Sequence, residues 1–177
     1  MATTLWQHPD FTPEKFHGLK MYVTGGAPNP RAQVERFARA GIRFSDGFGM
    51  SETCSNFAMP VLDVERLIEK AGSCGLPLLA VQARIVDDAG QDVPRGETGE
   101  LWIKGPSVTA GYWNQPELTA KAFHDGWFKT GDAALQDADG FYYLVDRKKD
   151  MYISGGENVY PAKVERLMAE LPEVAEV

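Results

Sequence analysis

Cysteine is scarce in this sequence, and the cysteines present do not form a recognisable site. Cys54 and Cys74 are far apart, without a Cys-x-x-Cys spacing and without a nearby histidine ligand pattern. Disulfide, zinc and redox functions therefore lack support. We expect both side chains to be buried or half-buried thiols.

Long apolar runs and extended basic segments are also missing. No stretch approaches the roughly 18 to 20 apolar residues that cross a membrane, and the N-terminus lacks the basic start and apolar stretch of a signal peptide. We therefore expect a cytoplasmic protein. The net charge is −7, and the longest basic run is Arg147-Lys148-Lys149. Such a chain does not offer the basic surface that nucleic-acid binding requires.

The N-terminal part of the chain predicts a β-α-β unit of a parallel sheet. The 177 residues are 44% hydrophobic, which is enough for one domain, or for one domain and a small part of another. Residues 21–24 predict a strand, Asn29 a helix cap and Pro30 the first helical residue, while residues 42–45 predict a second strand that leads into a loop over 46–53. Val34, Phe37 and Ala38 recur at helical spacing, which predicts a helix between the two strands, and Gly41 predicts its end.

From about residue 73 the pattern changes to short strands separated by Gly, Pro and Asp turns, which predicts an antiparallel, barrel-like unit. The predicted strands are 79–86, 100–104, 127–129 and 141–145, with a short helix at 116–123 and turns at 87–90, 130–132 and 137–140. After a charged connector, we expect a strand at 151–153, a turn at 154–156, an amphipathic helix from Pro161 and a strand beginning at 174–177. The predicted apolar face of this helix consists of Val164, Leu167, Met168 and Leu171.

Two glycine-bearing segments are expected at the carboxyl edge of the parallel sheet, where ligands bind in such folds. The run Gly25-Gly26-Ala27-Pro28 is explained by a tight turn alone, but it would also let a planar adenine approach the backbone. The run Asp46-Gly47-Phe48-Gly49-Met50 places one aromatic ring among loop formers, where it could stack on a base. A core phenylalanine is the alternative for Phe48.

Polar residues after these segments suggest contacts with a nucleotide. Ser51 is a candidate phosphate donor and Glu52 a candidate Mg²⁺ ligand, although Ser51 to Thr53 could equally cap a helix. Asp132 could accept hydrogen bonds from both ribose hydroxyls, and Arg147 offers a charged donor fork. Residues 148–150 are expected to be an exposed hinge or a plain linker.

Seven segments together resemble one superfamily. In order and spacing, the chain resembles the acyl-CoA synthetases, peptide-synthetase adenylation domains and luciferases, and most closely the acyl-CoA synthetase branch. The resemblance runs from about Leu19 to the end of the sequence. It rests on Gly25 to Pro28, Phe48 to Thr53, Gly99 to Gly105, Gly111-Tyr112-Trp113, Gly126 to Asp132, Asp146 to Asp150 and Gly155 to Pro161.

The resemblance implies a two-step reaction and a cleft that binds ATP or AMP. A carboxylate attacks the α-phosphate of ATP, pyrophosphate leaves, and the thiol of coenzyme A then takes the acyl group. Phe48 is implied to stack on adenine, Ser51 and Glu52 to act at the phosphates and Mg²⁺, and Asp132 and Arg147 to bind the ribose. Lys149 matches the hinge of the family, and Ser154 to Glu157 match the segment that swings toward the site.

The implied fold class is α/β, with a parallel α/β subdomain, an antiparallel β-barrel-like subdomain and the start of a small α+β C-terminal lid domain. The implied division is 1–146 for the large domain, with portions 1–72 and 73–146, and 147–177 for the hinge and the lid. The phosphate loop of the family and its C-terminal catalytic lysine are not in the sequence. We therefore expect an internal fragment that is inactive by itself.

Several alternatives stay open at this stage. The chain could be a nucleotide-binding module without chemistry, a structural remnant, or part of an adenylation domain that serves a carrier protein or of an oxidative luciferase. Residues 151–161 resemble fatty-acyl and aryl-acid CoA ligases more closely. The sequence identifies neither the acid nor the oligomeric state.

Overall fold

The computed structural model describes residues 2–26, 29–155, 157–168, 171 and 174. The helices are α1 Ala2–Trp6, α2 Arg31–Arg39, α3 Val64–Glu69, α4 Pro116–Ala122 and α5 Pro161–Met168, with a 3-10 helix at Pro13–Phe16. The strands are β1 Tyr22–Thr24, β2 Phe44–Met50, β3 Cys54–Ala58, β4 Leu76–Pro77, β5 Gln82–Val86, β6 Gly99–Lys104, β7 Phe123–His124, β8 Trp127–Gln136, β9 Tyr142–Arg147, β10 Tyr152–Ser154 and β11 Glu157–Val159. Residues 27, 28 and 156, and the strand predicted over 174–177 apart from Val174, lie outside the described residues.

The first sheet has the order β1-β2-β3-β4. Strand β1 pairs in parallel with β2, in the register Val23 to Ser45, and α2 connects them, so the predicted β-α-β unit is confirmed. The buried side chains of α2 include Val34, Phe37 and Ala38. The ring of Phe37 stacks on that of Phe44 with centroids 4.6 Å apart.

The prediction of Asn29 as the cap of α2 is wrong. Pro30 occupies the N-cap position, and no side chain caps the helix. The backbone N–H of Asn29 instead donates to Asp46 Oδ2 at 2.9 Å. Asp46 is buried on β2, and a buried carboxylate requires hydrogen-bond donors. Asn29 therefore bonds to Asp46 and does not cap the helix.

The predicted loop over residues 46–53 is also wrong for most of its length. Strand β2 continues to Met50, and residues 51–53 form the turn of a hairpin with β3, not a helix cap. Gly49 is required there: a Cβ at this position would lie 2.2 Å from the carbonyl oxygen of Cys54. The glycines therefore permit close strand pairing, with a register shift between Phe48 and Gly49.

The second sheet is antiparallel, with the order β5-β6-β8-β7 and β9 paired to β8. Its core contains Leu101, Ile103, Phe128 and Ala134, all almost completely buried. The α/β fold class with an antiparallel unit after the parallel portion is thus confirmed. The predicted strand over 79–86 is wrong at its start, because β5 begins only at Gln82 and Leu79 is 99% exposed.

The predicted turn at Thr130 to Asp132 is a bulge inside β8. Glu100 pairs with Ala133 while Trp102 pairs with Lys129, so the three residues 130–132 stand opposite Leu101. Gly131 has a φ of 74°, which a glycine adopts at little cost. The bulge keeps the strand continuous and re-aims its side chains.

The two sheets are joined by backbone pairing and by an ion cluster. Cys74 N donates to Tyr142 O at 2.9 Å, and Tyr142 N donates to Gly75 O at 3.0 Å. Lys70, at the end of α3, contacts Asp137 and Asp139 in the turn before β9. Cys74 is buried as expected, but Cys54 is exposed: it is the first residue of β3, directly after the hairpin turn, and has a φ of 56°.

A hairpin of β10 and β11 precedes α5. The backbone N–H of Ala162, in the first turn of α5, donates to Asp146 Oδ2 at 2.8 Å, so a residue of β9 anchors this helix. The apolar positions predicted on α5 are exposed: 43% for Val164, 61% for Leu167 and 43% for Met168. No helix among the described residues is long and apolar enough to span a membrane.

Candidate functional site

A cleft of about 1080 Å³ lies where the end of β2 meets the bulge of β8 and the end of β9. Its lining includes residues 46–52, 128–132 and 144–149, together with Gly26, Gly72, Cys74, Tyr112 and Ala162. The three segments singled out from the sequence therefore meet at one place. Gly25 lines a smaller adjoining groove, while Ala27 and Pro28 lie outside the described residues.

Asp46 fixes the glycine turn to β2. Its side chain is buried, and it accepts hydrogen bonds from the backbone and side-chain amides of Asn29 and from the hydroxyl of Thr24. Burial raises the pKa of Asp46, and the hydrogen bonds from Asn29 and Thr24 oppose that rise. The sequence alone did not reveal the role of Asn29, because this contact joins the segment before α2 to a residue of β2 that is 17 positions further along the chain.

Phe48 has one side in the core and also lines the cleft. It is half-buried, and its ring centroid lies 5.8 Å from that of Phe57, at an interplanar angle of 57°. Phe57 belongs to the core cluster with Cys74 and Tyr142. The core contacts hold the ring in place, which is what a surface for stacking on a base requires.

Glu52 is held by the loop that contains Thr109 and Tyr112, to which no role was assigned from the sequence. The hydroxyl of Tyr112 donates to Glu52 Oε1 at 3.0 Å, and the backbone N–H of Thr109 donates to Glu52 O at 2.7 Å. Burial and the neighbouring carboxylate raise the pKa of Tyr112, so the phenol stays protonated and donates. Ser51, next to Glu52, is exposed at the same cleft.

Asp132 and Arg147 face each other across β8 and β9. The distance from Arg147 Nε to Asp132 Oδ1 is 4.0 Å, and the side chains are 67% and 17% exposed, respectively. Burial raises the pKa of Asp132, Arg147 lowers it and Glu100 raises it further. The pair is too far apart for a direct hydrogen bond, so both groups can turn to a ligand.

The connector after β9 is not a plain linker at its start. Lys148 Nζ lies 2.8 Å from Asp88 Oδ1 and 3.2 Å from Glu100 Oε2, and its backbone N–H donates to Gly131 O at 2.8 Å. Lys148 is therefore half-buried and bound to β6 and to the turn before it, whereas we expected an exposed residue. A hinge in this segment stays a prediction. Lys149 is exposed at the edge of the cleft.

The donor set in the cleft fits a metal that arrives with phosphates. Among the described residues, no group of three or more His, Cys, Asp or Glu side chains is arranged to hold a metal ion. Glu52 lines the cleft beside Ser51, while the carboxylates of Asp46, Asp132 and Asp146 line other parts of it. Mg²⁺ is commonly held by one or two carboxylates plus substrate phosphates, so this arrangement suits it.

Comparisons with known proteins agree with this geometry. A family model described as "AMP-binding enzyme" matches residues 1–113. Feruloyl-CoA synthase of Amycolatopsis sp is 42% identical over 174 residues, covering 98% of this chain and 35% of the relative. The 2-succinylbenzoate–CoA ligase of Geobacillus kaustophilus is 46% identical over 158 residues, covering 89% and 32%.

A solved structure of o-succinylbenzoate CoA synthetase from Bacillus subtilis, in complex with the acyl-adenylate intermediate, superimposes with a TM-score of 0.86. It is 38% identical, and the match covers 99% of this chain and 35% of that one. The chain thus spans about a third of the length of these relatives. It belongs to the AMP-binding family of adenylate-forming enzymes, whose relatives include CoA ligases.

Proposed function

We propose that this chain is the adenine- and ribose-binding part of an AMP-forming acid–thiol ligase. The observation that carries the proposal is the meeting of Phe48, Glu52 and the Asp132–Arg147 pair in one cleft. The relatives named as CoA synthase and CoA ligases support the reaction class. The acid stays undefined, since the relatives differ in theirs.

The proposed reaction has two steps. An oxygen of the acid attacks the α-phosphorus of ATP, the bond to the bridging oxygen breaks and pyrophosphate leaves, which gives acyl-AMP. The sulfur of coenzyme A then attacks the acyl carbon, loses its proton, and AMP leaves with the electron pair of the broken C–O bond. The product is an acyl-CoA.

The residues of the cleft have separate tasks in this proposal. Phe48 stacks on adenine while Gly25 and Gly26 let the base approach the backbone, and Asp132 accepts hydrogen bonds from the ribose hydroxyls with Arg147 beside it. Such contacts mainly bind and orient the nucleotide, and orientation of the reacting groups lowers the barrier. Ala27, Pro28, Asp46, Gly47, Gly49 and Met50 complete the predicted binding segment.

We assign Glu52 as the protein ligand of Mg²⁺ and Ser51 as a hydrogen-bond donor to phosphate. When bound, Mg²⁺ neutralises negative charge that develops on the phosphate oxygens. We further propose a large domain over 1–146, with portions 1–72 and 73–146, and a hinge at Lys149 within a 147–177 segment that leads into a lid. We also propose that the protein acts in the cytosol on a carboxylic acid and does not bind nucleic acid.

Nucleotide titration tests the binding function directly. The purified chain is titrated by calorimetry with AMP and with ATP plus Mg²⁺, beside an Asp132→Ala variant and a Glu97→Ala control. Glu97 is an exposed carboxylate outside the cleft lining. We expect millimolar or tighter binding that Asp132→Ala abolishes and Glu97→Ala leaves intact. Absence of binding by a demonstrably folded chain would contradict the proposal.

A further inference from the structure

The contact between Tyr112 and Glu52 joins two segments that are distant in the sequence. Tyr112 lies in the loop between β6 and α4, and Glu52 lies in the turn between β2 and β3. Both line the cleft. The loop touches Glu52 twice, through the Tyr112 hydroxyl at Oε1 and through the Thr109 N–H at the backbone carbonyl. Backbone and side chain of one residue are therefore fixed together.

The loop that carries Tyr112 is itself well held. Tyr112 N donates to Thr119 Oγ1 at 2.9 Å, and the Thr109 hydroxyl donates to Gly111 O at 3.0 Å. Gly111 is needed for this packing, because a Cβ there would lie 2.6 Å from the methyl carbon of Thr119. The backbone of Tyr112 is thus held by contacts that do not involve Glu52.

We infer that Tyr112 is a positioning residue for Glu52: its hydroxyl fixes Oε1 so that Oε2 is presented to the metal–phosphate group of a bound nucleotide. The inference rests on the proposed function. A glutamate side chain at an exposed turn loses rotamer freedom when it ligates a metal, and a preformed hydrogen bond removes part of that cost. Hydrogen-bond partners of metal ligands commonly change metal affinity by about 10- to 100-fold.

The chemistry of the donor suits this task. A neutral phenol orients the carboxylate without cancelling its charge, whereas a lysine or an arginine at the same place would compete with the cation. The negative charge of Glu52 stays available for Mg²⁺.

A role in metal binding differs from a role in loop packing in one measurable respect. If Tyr112 orients a metal ligand, its loss weakens binding of ATP with Mg²⁺ but spares binding of AMP in the presence of a chelator. If Tyr112 only packs the loop, its loss changes the affinities for both nucleotides equally or changes neither. The two ligands share the adenine and ribose contacts, so the ratio of their affinities isolates the part that depends on the metal and the two additional phosphates.

The experiment compares Tyr112→Phe with Trp113→Phe in calorimetric titrations of the chain. Trp113 is the next residue and is 90% exposed, which makes it a matched control for aromatic substitutions in this loop. We expect Tyr112→Phe to weaken binding of ATP plus Mg²⁺ by about 10- to 100-fold, as for the loss of a hydrogen-bond partner of a metal ligand. Binding of AMP without metal should change less than about twofold.

A double substitution keeps the test decisive if Tyr112→Phe disturbs the fold. In a Glu52→Gln background the effect of Tyr112→Phe on metal-dependent binding should disappear, because the carboxylate it positions is gone. Equal loss for both nucleotides, no loss at all, or a loss that persists in that background would overturn the inference while leaving the proposed function intact. Absence of nucleotide binding by the unsubstituted chain would overturn both.

Discussion

Lys70 Nζ lies 2.7 Å from Asp137 Oδ2 and connects α3 to the turn between β8 and β9. The same ammonium group lies 2.6 Å from Asp139 Oδ2 and 5.0 Å from the centroid of the Phe141 ring. The lysine side chain is only 6% exposed, whereas Asp139 is 47% exposed. One cation thus joins the sheet that contains β2 to the sheet that contains Asp132.

We expect Lys70→Met to destabilise the chain. The substitution leaves Asp137 without its main cation in a partly enclosed place, and loss of one partner of such a pair costs about 1 to 3 kcal/mol when the other partners keep some solvent. The measurement is the free energy of unfolding in urea. Lys121→Met, on the exposed face of α4, serves as the control and should change the free energy of unfolding little.

The same cluster makes stability depend on acid. Hydrogen bonds from Lys70 and then Arg66 hold the pKa of Asp139 below its ordinary value. A carboxyl whose pKa is lowered by folding contributes stability above its unfolded pKa of about 3.9, and that contribution is lost as the pH falls through the folded pKa. The chain should therefore lose stability below about pH 4.

The variant Lys70→Met isolates this contribution from those of other carboxyls. Asp46 and Asp132 have raised pKa values and act in the opposite direction on acidification. The difference in thermal midpoint between Lys70→Met and the unsubstituted chain should shrink as the pH is lowered from 7 to about 3. A constant difference over that range would show that Lys70 acts by packing alone.

We expect Gly49→Ala to disrupt the hairpin that carries Ser51 and Glu52. The new methyl group would lie 2.2 Å from Cys54 O and 2.8 Å from Ser55 Cα, so the backbone must move, at a cost of about 1 to 3 kcal/mol. Gly18→Ala is the control, because nothing lies within 4 Å of its added methyl. Thermal unfolding checks the stability, and titration with ATP plus Mg²⁺ checks the site.

Asp132→Asn should stabilise the chain while it abolishes nucleotide binding. Burial raises the pKa of Asp132, which means that the ionised form is disfavoured in the fold and costs stability above that pKa. A neutral amide of the same shape removes this cost but is a poorer acceptor for two hydroxyls. A raised thermal midpoint at pH 7 with lost AMP binding is expected; a lowered midpoint would contradict the electrostatic argument.

The parts of the fold that could be predicted from sequence are those set by local chemistry. The helical spacing of Val34, Phe37 and Ala38 predicted α2, and the Asp-rich turn before Phe141 predicted the start of β9. Gly47 and Gly49 were misleading, because we interpreted them as loop residues. In the structure the lack of a side chain at these positions permits close pairing of β2 with β3. That pairing joins β2 to the next strand through a short turn, and the residues of β2 by themselves do not indicate it.

The side-chain contacts of the candidate site were less predictable than its location. The segments around Phe48, Asp132 and Arg147 were expected to meet, and they line one cleft. The contact of Tyr112 with Glu52 and that of Lys148 with Asp88 and Glu100 depend on how separate loops lie in space. A single sequence contains no periodicity or spacing that indicates such pairs.

The hydrogen bond from Ala162 N to Asp146 makes the start of α5 depend on a residue that precedes Arg147. The first N–H groups of a helix need acceptors from elsewhere, and a carboxylate there also interacts favourably with the helix dipole. Any movement that separates α5 from β9 must exchange this bond for water. The beginning of α5 is thus coupled to β9, the strand that contains Arg147, so a displacement of either one is expected to displace the other.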